Sequence, residues 1–142
     1  MLLKLSVCAT AVAFALTGPA AHAEELAPGT KLPSPPGIAR TVVQKSDFPG
    51  GQYATLLFIA EIAPGATVPR HTHPGLESGY VAEGEEDLAM AGEPVRHLRA
   101  GDAYQMPAGM PHTMRNTGDR PTKLVITLVY EKDKPVTSPA PE

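Results

Sequence analysis

The chain has 142 residues, and its 12 lysine and arginine residues against 15 aspartate and glutamate residues give a formal net charge of −3. This length predicts a single domain with a modest core. The mildly acidic charge, without a basic run or an aromatic platform, argues against a nucleic-acid partner.

The first 23 residues have the pattern of a secretory signal peptide. Lys4 precedes an apolar segment over 5–16, and Ala21-His22-Ala23 supplies a small-residue cleavage site. The apolar segment is too short for a membrane span. We therefore expect residues 1–23 to be removed and the rest to be exported to the periplasm or outside the cell, without a membrane anchor. The only cysteine, Cys8, would be lost with the signal, so no disulfide is expected.

The remaining chain predicts an arm, one β domain and a tail. Four prolines over 24–39 indicate an extended arm, and the prolines over 132–142 indicate a disordered tail. Between them, short apolar segments alternate with turn signals and no helical period is present, which is typical of an all-β sandwich or barrel over 40–131. Strands are predicted at 40–48, 53–62, 86–91, 95–99, 103–107, 112–116 and 122–130.

The segment over 53–62 has apolar residues on both faces, for example Phe58 on one and Ile59 on the other. A strand of this kind is buried on both sides or contributes to a subunit interface. This composition favours a homodimer.

Four residues form a candidate metal-binding set. On a strand, residues two apart point to the same face, so His71 and His73 project together. Pro74-Gly75 allows a bend that brings Glu77 toward the same point, and His112 arrives from a distant strand. Three imidazoles and a carboxylate suit one divalent transition metal ion: iron, manganese, nickel, copper, cobalt or zinc.

These residues lie in two motifs that resemble those of the cupin superfamily. The first extends from Gly65 through His71, His73 and Glu77 to Gly84, and the second from Gly101 through Pro107, Gly109 and His112 to Asn116. The resemblance implies a single cupin-type β-barrel, which is a jelly roll or double-stranded β-helix. It also implies a metal held by His71, His73, Glu77 and His112, and pairing of two subunits.

The other candidate residues are assigned by counting along strands. Val81 and Met114 are predicted to line the pocket, and either Tyr104 or Gln105 to do so, because these two face opposite ways. Tyr80 is predicted to face outward. His97 is expected at the surface, Asn116 is expected to bind backbone groups, and the four motif glycines are expected to serve turns. The acidic residues Glu83, Glu85, Glu86 and Asp87 are interpreted as a solvated loop.

Two kinds of function fit this site. The first is a metal-dependent enzyme, a dioxygenase or other oxidoreductase acting on a small organic molecule, in which Glu77 also accepts a proton. The second is a metal-containing protein that binds or senses a small molecule without turnover. A lyase or isomerase is a weaker alternative, because it needs a positioned tyrosine or histidine beside the ligands.

Overall fold

The computed structural model describes residues 26–141, and this part of the chain contains strands and turns without helices. The predicted signal peptide lies outside the described residues. There are eleven strands: β1 (Lys31–Leu32), β2 (Ile38–Asp47), β3 (Tyr53–Ile62), β4 (Thr67–Thr72), β5 (Leu76–Glu83), β6 (Glu85–Met90), β7 (Arg96–Arg99), β8 (Ala103–Met106), β9 (His112–Asn116), β10 (Thr122–Glu131) and β11 (Ser138–Pro139).

The strands form two antiparallel sheets that enclose one core. One sheet has the order β1-β2-β3-β10-β5-β8 and the other has the order β11-β4-β9-β6-β7. The all-β jelly-roll prediction is confirmed. Among residues 26–141, no helix is present that is long and apolar enough to cross a membrane.

The core follows from strict alternation along the long strands. In β10, every second residue from Thr122 to Tyr130 is buried, and the residues between them are half-buried on the outer face. β3 has the same pattern, with Leu56, Phe58 and Ile62 inside. Since side chains alternate across a strand, these inner faces supply most of the apolar area removed from water.

The motif glycines occupy turns, as predicted. Gly65, Gly84, Gly101 and Gly109 all have positive φ angles, which residues with a side chain rarely adopt. At Gly84 a Cβ atom would also lie 2.9 Å from the Pro121 carbonyl oxygen. This position therefore needs glycine for conformation and for space.

The described residues of the arm, 26–39, and of the tail, 132–141, both contribute a strand to the barrel. The arm contributes β1, which pairs with β2 through Lys31 and Thr41. The tail was predicted to be disordered over 132–142. Instead β11 pairs with β4, and the Ala140 amide donates to the Arg70 carbonyl. Proline content predicts the lack of internal structure but not pairing with a distant strand edge.

Candidate metal centre

The structure brings the four predicted ligands together from both sheets. His71 in β4 lies directly opposite His112 in β9, and His73 follows two residues after His71. Glu77 reaches the same point from β5 in the other sheet. The turn between β4 and β5 needs Gly75, where a Cβ atom would lie 1.7 Å from the Val129 carbonyl oxygen.

The four functional groups converge at contact distance. His71 Nε2 lies 3.1 Å from His73 Nε2, and His73 Nε2 lies 2.7 Å from Glu77 Oε2. His112 Nε2 lies 3.8 Å from the same carboxylate oxygen. One ring nitrogen from each of the three histidines lies within 4.8 Å of the corresponding nitrogens of the other two.

Each imidazole is oriented by a backbone carbonyl on its other nitrogen. Nδ1 of His71 lies 2.8 Å from the Pro69 carbonyl oxygen, and Nδ1 of His112 lies 2.9 Å from that of Met110. Nδ1 of His73 lies 2.7 Å from that of Val136. A carbonyl only accepts, so each Nδ1 donates, and in the neutral ring each Nε2 then presents a lone pair to the shared point.

This donor set fits a metal ion. His112 Nε2 is buried and has no hydrogen-bond partner among the described residues. Burial and the neighbouring His112 lower the pKa of His71 to about 4, and burial also lowers the pKa of His112, so both rings are neutral near pH 7. Three imidazoles, two of them neutral, and a carboxylate at these distances are compatible with one shared cation. Coordination of a metal by all four residues remains a prediction.

Tyr104 binds the oxygen of the Glu77 carboxylate that does not contact the histidines. The Tyr104 hydroxyl donates to Glu77 Oε1 over 3.0 Å, which leaves Oε2 toward the histidines. Burial raises the pKa of the Glu77 carboxyl. The hydrogen bond and charge of His73, followed by the charge of His112 and the hydrogen bond from Tyr104, together outweigh burial, so the pKa is lowered overall. A Cβ atom on Gly79 would lie 2.1 Å from the Tyr104 ring, so the absent side chain makes room for this contact.

Replacing Tyr104 with phenylalanine is expected to weaken metal binding about 10- to 100-fold, the usual cost of losing a group that orients a ligand. The ring stays over Gly79, so folding should be preserved. Metal titration monitored by calorimetry measures the affinity. Tyr80→Phe is the matched control, because Tyr80 is 47% exposed on the outer face, and it should bind as the wild type does. Equal affinities for both variants would contradict the orienting role.

A cavity of about 330 Å³ opens over the four residues. Its size suits a small organic ligand. Met114 lines the cavity, as predicted, together with apolar side chains such as Phe58 and Ile126. The other pocket predictions differ. Val81 is fully buried in the core, Tyr104 lies behind Glu77, and Gln105 is exposed and donates to Ser78.

The C-terminal tail is a part of the site that sequence reasoning missed. The Val136 carbonyl accepts the hydrogen bond that fixes His73, and Thr137 and Pro139 line the cavity. Arg70 Nε donates to the Pro141 carbonyl over 2.9 Å, which ties the end of the tail to β4. The tail therefore both orients one ligand and forms one wall.

Ending the chain after Lys134 is expected to lower metal affinity about 10- to 100-fold, because His73 loses the acceptor for its Nδ1 hydrogen. The truncation removes the two-residue strand β11 but leaves β1 to β10 paired, so the truncated chain should still unfold cooperatively. Metal titration and thermal melting of the metal-free protein separate the two effects. Asp133→Asn, an exposed change in the same tail, is the control. Unchanged affinity in the truncated chain would show that the tail does not orient His73.

Glu86 corrects one interpretation. The acidic residues over 83–87 were interpreted as a solvated loop, but Glu86 is fully buried inside the barrel and neither carboxylate oxygen has a hydrogen-bond partner among the described residues. Burial, and secondly the charge of Glu77, raise the pKa of Glu86 to about 8. The carboxyl is therefore mainly protonated near pH 7. Alternation with buried Leu88 and Met90 is the signal that could have placed it.

Two further predictions outside the ligand set agree with the structure. Asn116 is buried, donates to the Ile62 and Arg120 carbonyls, and accepts from the Gly118 amide. It thus ties the end of β9 to two other segments. His97 is exposed and lies 2.8 Å from Asp87, away from the cavity.

The fold and this cluster define a β-barrel protein with a candidate metal centre. Residues 58–129 match the model of the cupin domain, which is half of the chain, and the chain belongs to the cupin family.

Two relatives differ in activity, since one is a lyase and the other an oxidase. The dimethylsulfoniopropionate lyase DddQ of Ruegeria pomeroyi is 36% identical over 75 residues, covering 51% of this chain and 37% of the lyase. Oxalate oxidase 2 of Hordeum vulgare is 28% identical over 113 residues, covering 73% of this chain and 50% of the oxidase. AerE from Microcystis aeruginosa superposes with a TM-score of 0.62 at 24% identity, covering 77% of this chain and 50% of AerE. The chain thus spans half or less of the length of these three proteins.

Proposed function

We propose that the protein is a metal-dependent enzyme, an oxidoreductase of the dioxygenase type, that acts on a small organic molecule. The observation that carries this proposal is the convergence of three imidazole nitrogens and the Glu77 carboxylate at one wall of a cavity. When bound, a transition metal would supply Lewis acidity and open positions for a substrate and oxygen.

The chain's own residues supply binding and a base. His71, His73 and His112 would hold the metal, with their orientation fixed by the backbone carbonyls. Glu77 is the carboxylate in the cavity wall, and it would accept a proton from a substrate held within hydrogen-bond reach. Apolar side chains such as Phe58 and Ile126 line the cavity around this group and would limit the access of water to the transfer. The similarity to an oxalate oxidase supports the oxidative reaction.

Oxygen consumption tests this proposal. Protein reconstituted separately with Fe(II), Mn(II), Ni(II) and Cu(II) is mixed with a panel of small chelating organic acids and diketones in an oxygen electrode. Substrate-dependent uptake is expected with one metal, and Glu77→Gln should reduce its rate strongly. If protein that is shown to hold metal consumes no oxygen with any combination of metal and compound, the oxidative assignment is contradicted.

A non-catalytic binding or sensor protein is the second candidate. Tyr104 is absent from the cavity wall, and the histidine and carboxylate side chains of the described residues that line the cavity all belong to the predicted ligand set. Ligand-dependent stabilisation without chemical change in the bound compound would favour this candidate. A lyase or isomerase, which the similarity to DddQ suggests, would be favoured by turnover of an organic acid without oxygen uptake.

We also propose that the protein is exported to the periplasm or outside the cell, on the signal pattern of residues 1–23. Cell fractionation and N-terminal sequencing test this, with Glu24 expected as the first residue. Full-length protein in the cytoplasm would contradict it.

A homodimer is proposed from the outer face of the larger sheet. Ile59, Val125 and Tyr80 lie side by side across β3, β10 and β5, and Leu57 and Leu76 extend this apolar surface. Tyr80 and Leu76 are exposed in the single chain. A second copy covering this face would remove it from water. Sedimentation at micromolar concentration should give twice the chain mass, and a monomer would contradict the proposal.

A further inference from the structure

Two arginines lie in the wall of the cavity that contains the candidate metal centre. Arg40 comes from β2, and Arg70 immediately precedes His71 in β4. Both are half-buried, and neither has a carboxylate within 4.0 Å among residues 26–141. The one carboxylate in the cavity wall is Glu77, which already contacts the histidines. The cavity therefore has an excess of positive charge even before a metal is added.

The Arg40 guanidinium is held in place by neutral acceptors. Its Nε donates to the Ser34 hydroxyl over 3.1 Å, and Nη2 donates to the Pro33 carbonyl. An arginine has five N–H donors, so several remain for a ligand. Burial lowers the pKa of Arg40, which is the effect of incomplete hydration of its charge. A guanidinium fixed by neutral groups and partly removed from water is suited to an anionic partner.

The rest of the cavity wall indicates what the uncharged part of the ligand is like. Most of it is apolar, with contributions from three strands of the larger sheet and two of the smaller one: Ile38, Phe58, Val68, Met114, Leu124 and Ile126. Apolar walls strengthen the field of a nearby charge, because they replace water that would screen it. They also favour a ligand with an apolar body. Polar groups concentrate at the arginines and at the candidate metal centre.

We propose that the cavity binds a small organic carboxylate with an apolar body, and that Arg40 binds the carboxylate group while Arg70 adds to the attracting charge. The proposal rests on the proposed function, since it names the substrate class of the same site. It assigns Arg40 as a residue that determines specificity. Neutral and cationic molecules of the same shape are expected to bind poorly.

Benzoate and benzamide provide a direct test, because they share a shape and differ in charge. Calorimetry on the metal-free chain is expected to give benzoate at least about 10-fold tighter binding than benzamide, as a charged hydrogen bond allows. Arg40→Gln should remove most of this preference. Arg40→Lys, which retains the charge, should keep part of it. Lys45→Gln, an exposed change on the same strand, is the matched control and should behave as the wild type.

The outcomes separate this proposal from the proposed function. Equal binding of benzoate and benzamide, or an undiminished preference in Arg40→Gln, would overturn the carboxylate site even if the protein holds metal. A preference for benzoate that depends on Arg40, in a protein that fails to bind any transition metal, would overturn the enzyme assignment and leave the carboxylate site supported. Thermal melting of Arg40→Gln shows whether loss of the bonds to residues 33 and 34 has disturbed the fold.

Discussion

Replacing His112 with leucine is expected to lower the affinity for a divalent transition metal more than about 100-fold. Loss of a group that only orients a metal ligand already lowers metal affinity about 10- to 100-fold, and His112 supplies a ligand atom itself. Its Nε2 is buried without a partner and points at the shared site, so no other described group replaces it. Leucine keeps most of the buried volume, which limits the loss of packing. Metal titration by calorimetry gives the affinity.

The control for this variant is His97→Leu, which removes an exposed imidazole outside the cavity. It should bind one metal as the wild type does. Melting of the metal-free proteins checks that both variants fold. A His112→Leu variant that folds and retains wild-type affinity would show that the imidazoles do not act together as a ligand set.

The second large effect concerns Glu86 and the pH dependence of stability. Its pKa is about 8 in the folded protein against an ordinary value of 4.5, so the folded state holds this proton more tightly than the unfolded chain does. Below pH 4.5 both states are protonated and the full stability is present. As pH rises from 4.5 to about 8, the unfolded chain loses the proton first, and the free energy of unfolding falls. The slope reaches about 1.4 kcal/mol per pH unit.

Glu86→Gln keeps the shape of the side chain and removes the ionisation. At pH 7.5 the variant is expected to be more stable than the wild type by about 2–4 kcal/mol, with little difference at pH 4. Urea unfolding across this pH range, with a chelator present, measures the difference. Glu93→Gln, in the exposed turn between β6 and β7, is the control and should follow the wild type. Parallel pH profiles for Glu86→Gln and the wild type would contradict a buried, protonated Glu86.

The features that sequence reasoning predicted correctly depend on local patterns. His71, His73 and Glu77 are close in the chain, and period-two alternation with one bend is enough to place them on a common point. The same alternation predicted β3 and β10 nearly to their ends. His112 could be added because its own motif resembles that of a known family, and the family match confirms the resemblance.

The features that were missed depend on pairing between distant segments or on packing. The tail reaches the site through two hydrogen bonds, one donated by His73 Nδ1 to the Val136 carbonyl and one by Arg70 Nε to the Pro141 carbonyl, which no local pattern encodes. Tyr104 could be assigned to Glu77 only with the knowledge that β8 lies beside β5, where Gly79 leaves room for its ring. Glu86 was misread because a run of acidic residues indicates solvent, whereas the strand alternation around it indicates burial.

Elemental analysis of the wild-type protein tests the metal centre most directly. The protein is purified without nickel resin or chelator, and its transition-metal content is measured by mass spectrometry before and after incubation with single divalent metals. About one ion per chain is expected, as for a site with three imidazoles and a carboxylate. A folded protein that holds no stoichiometric transition metal, as purified or after incubation with any of them, would contradict the account.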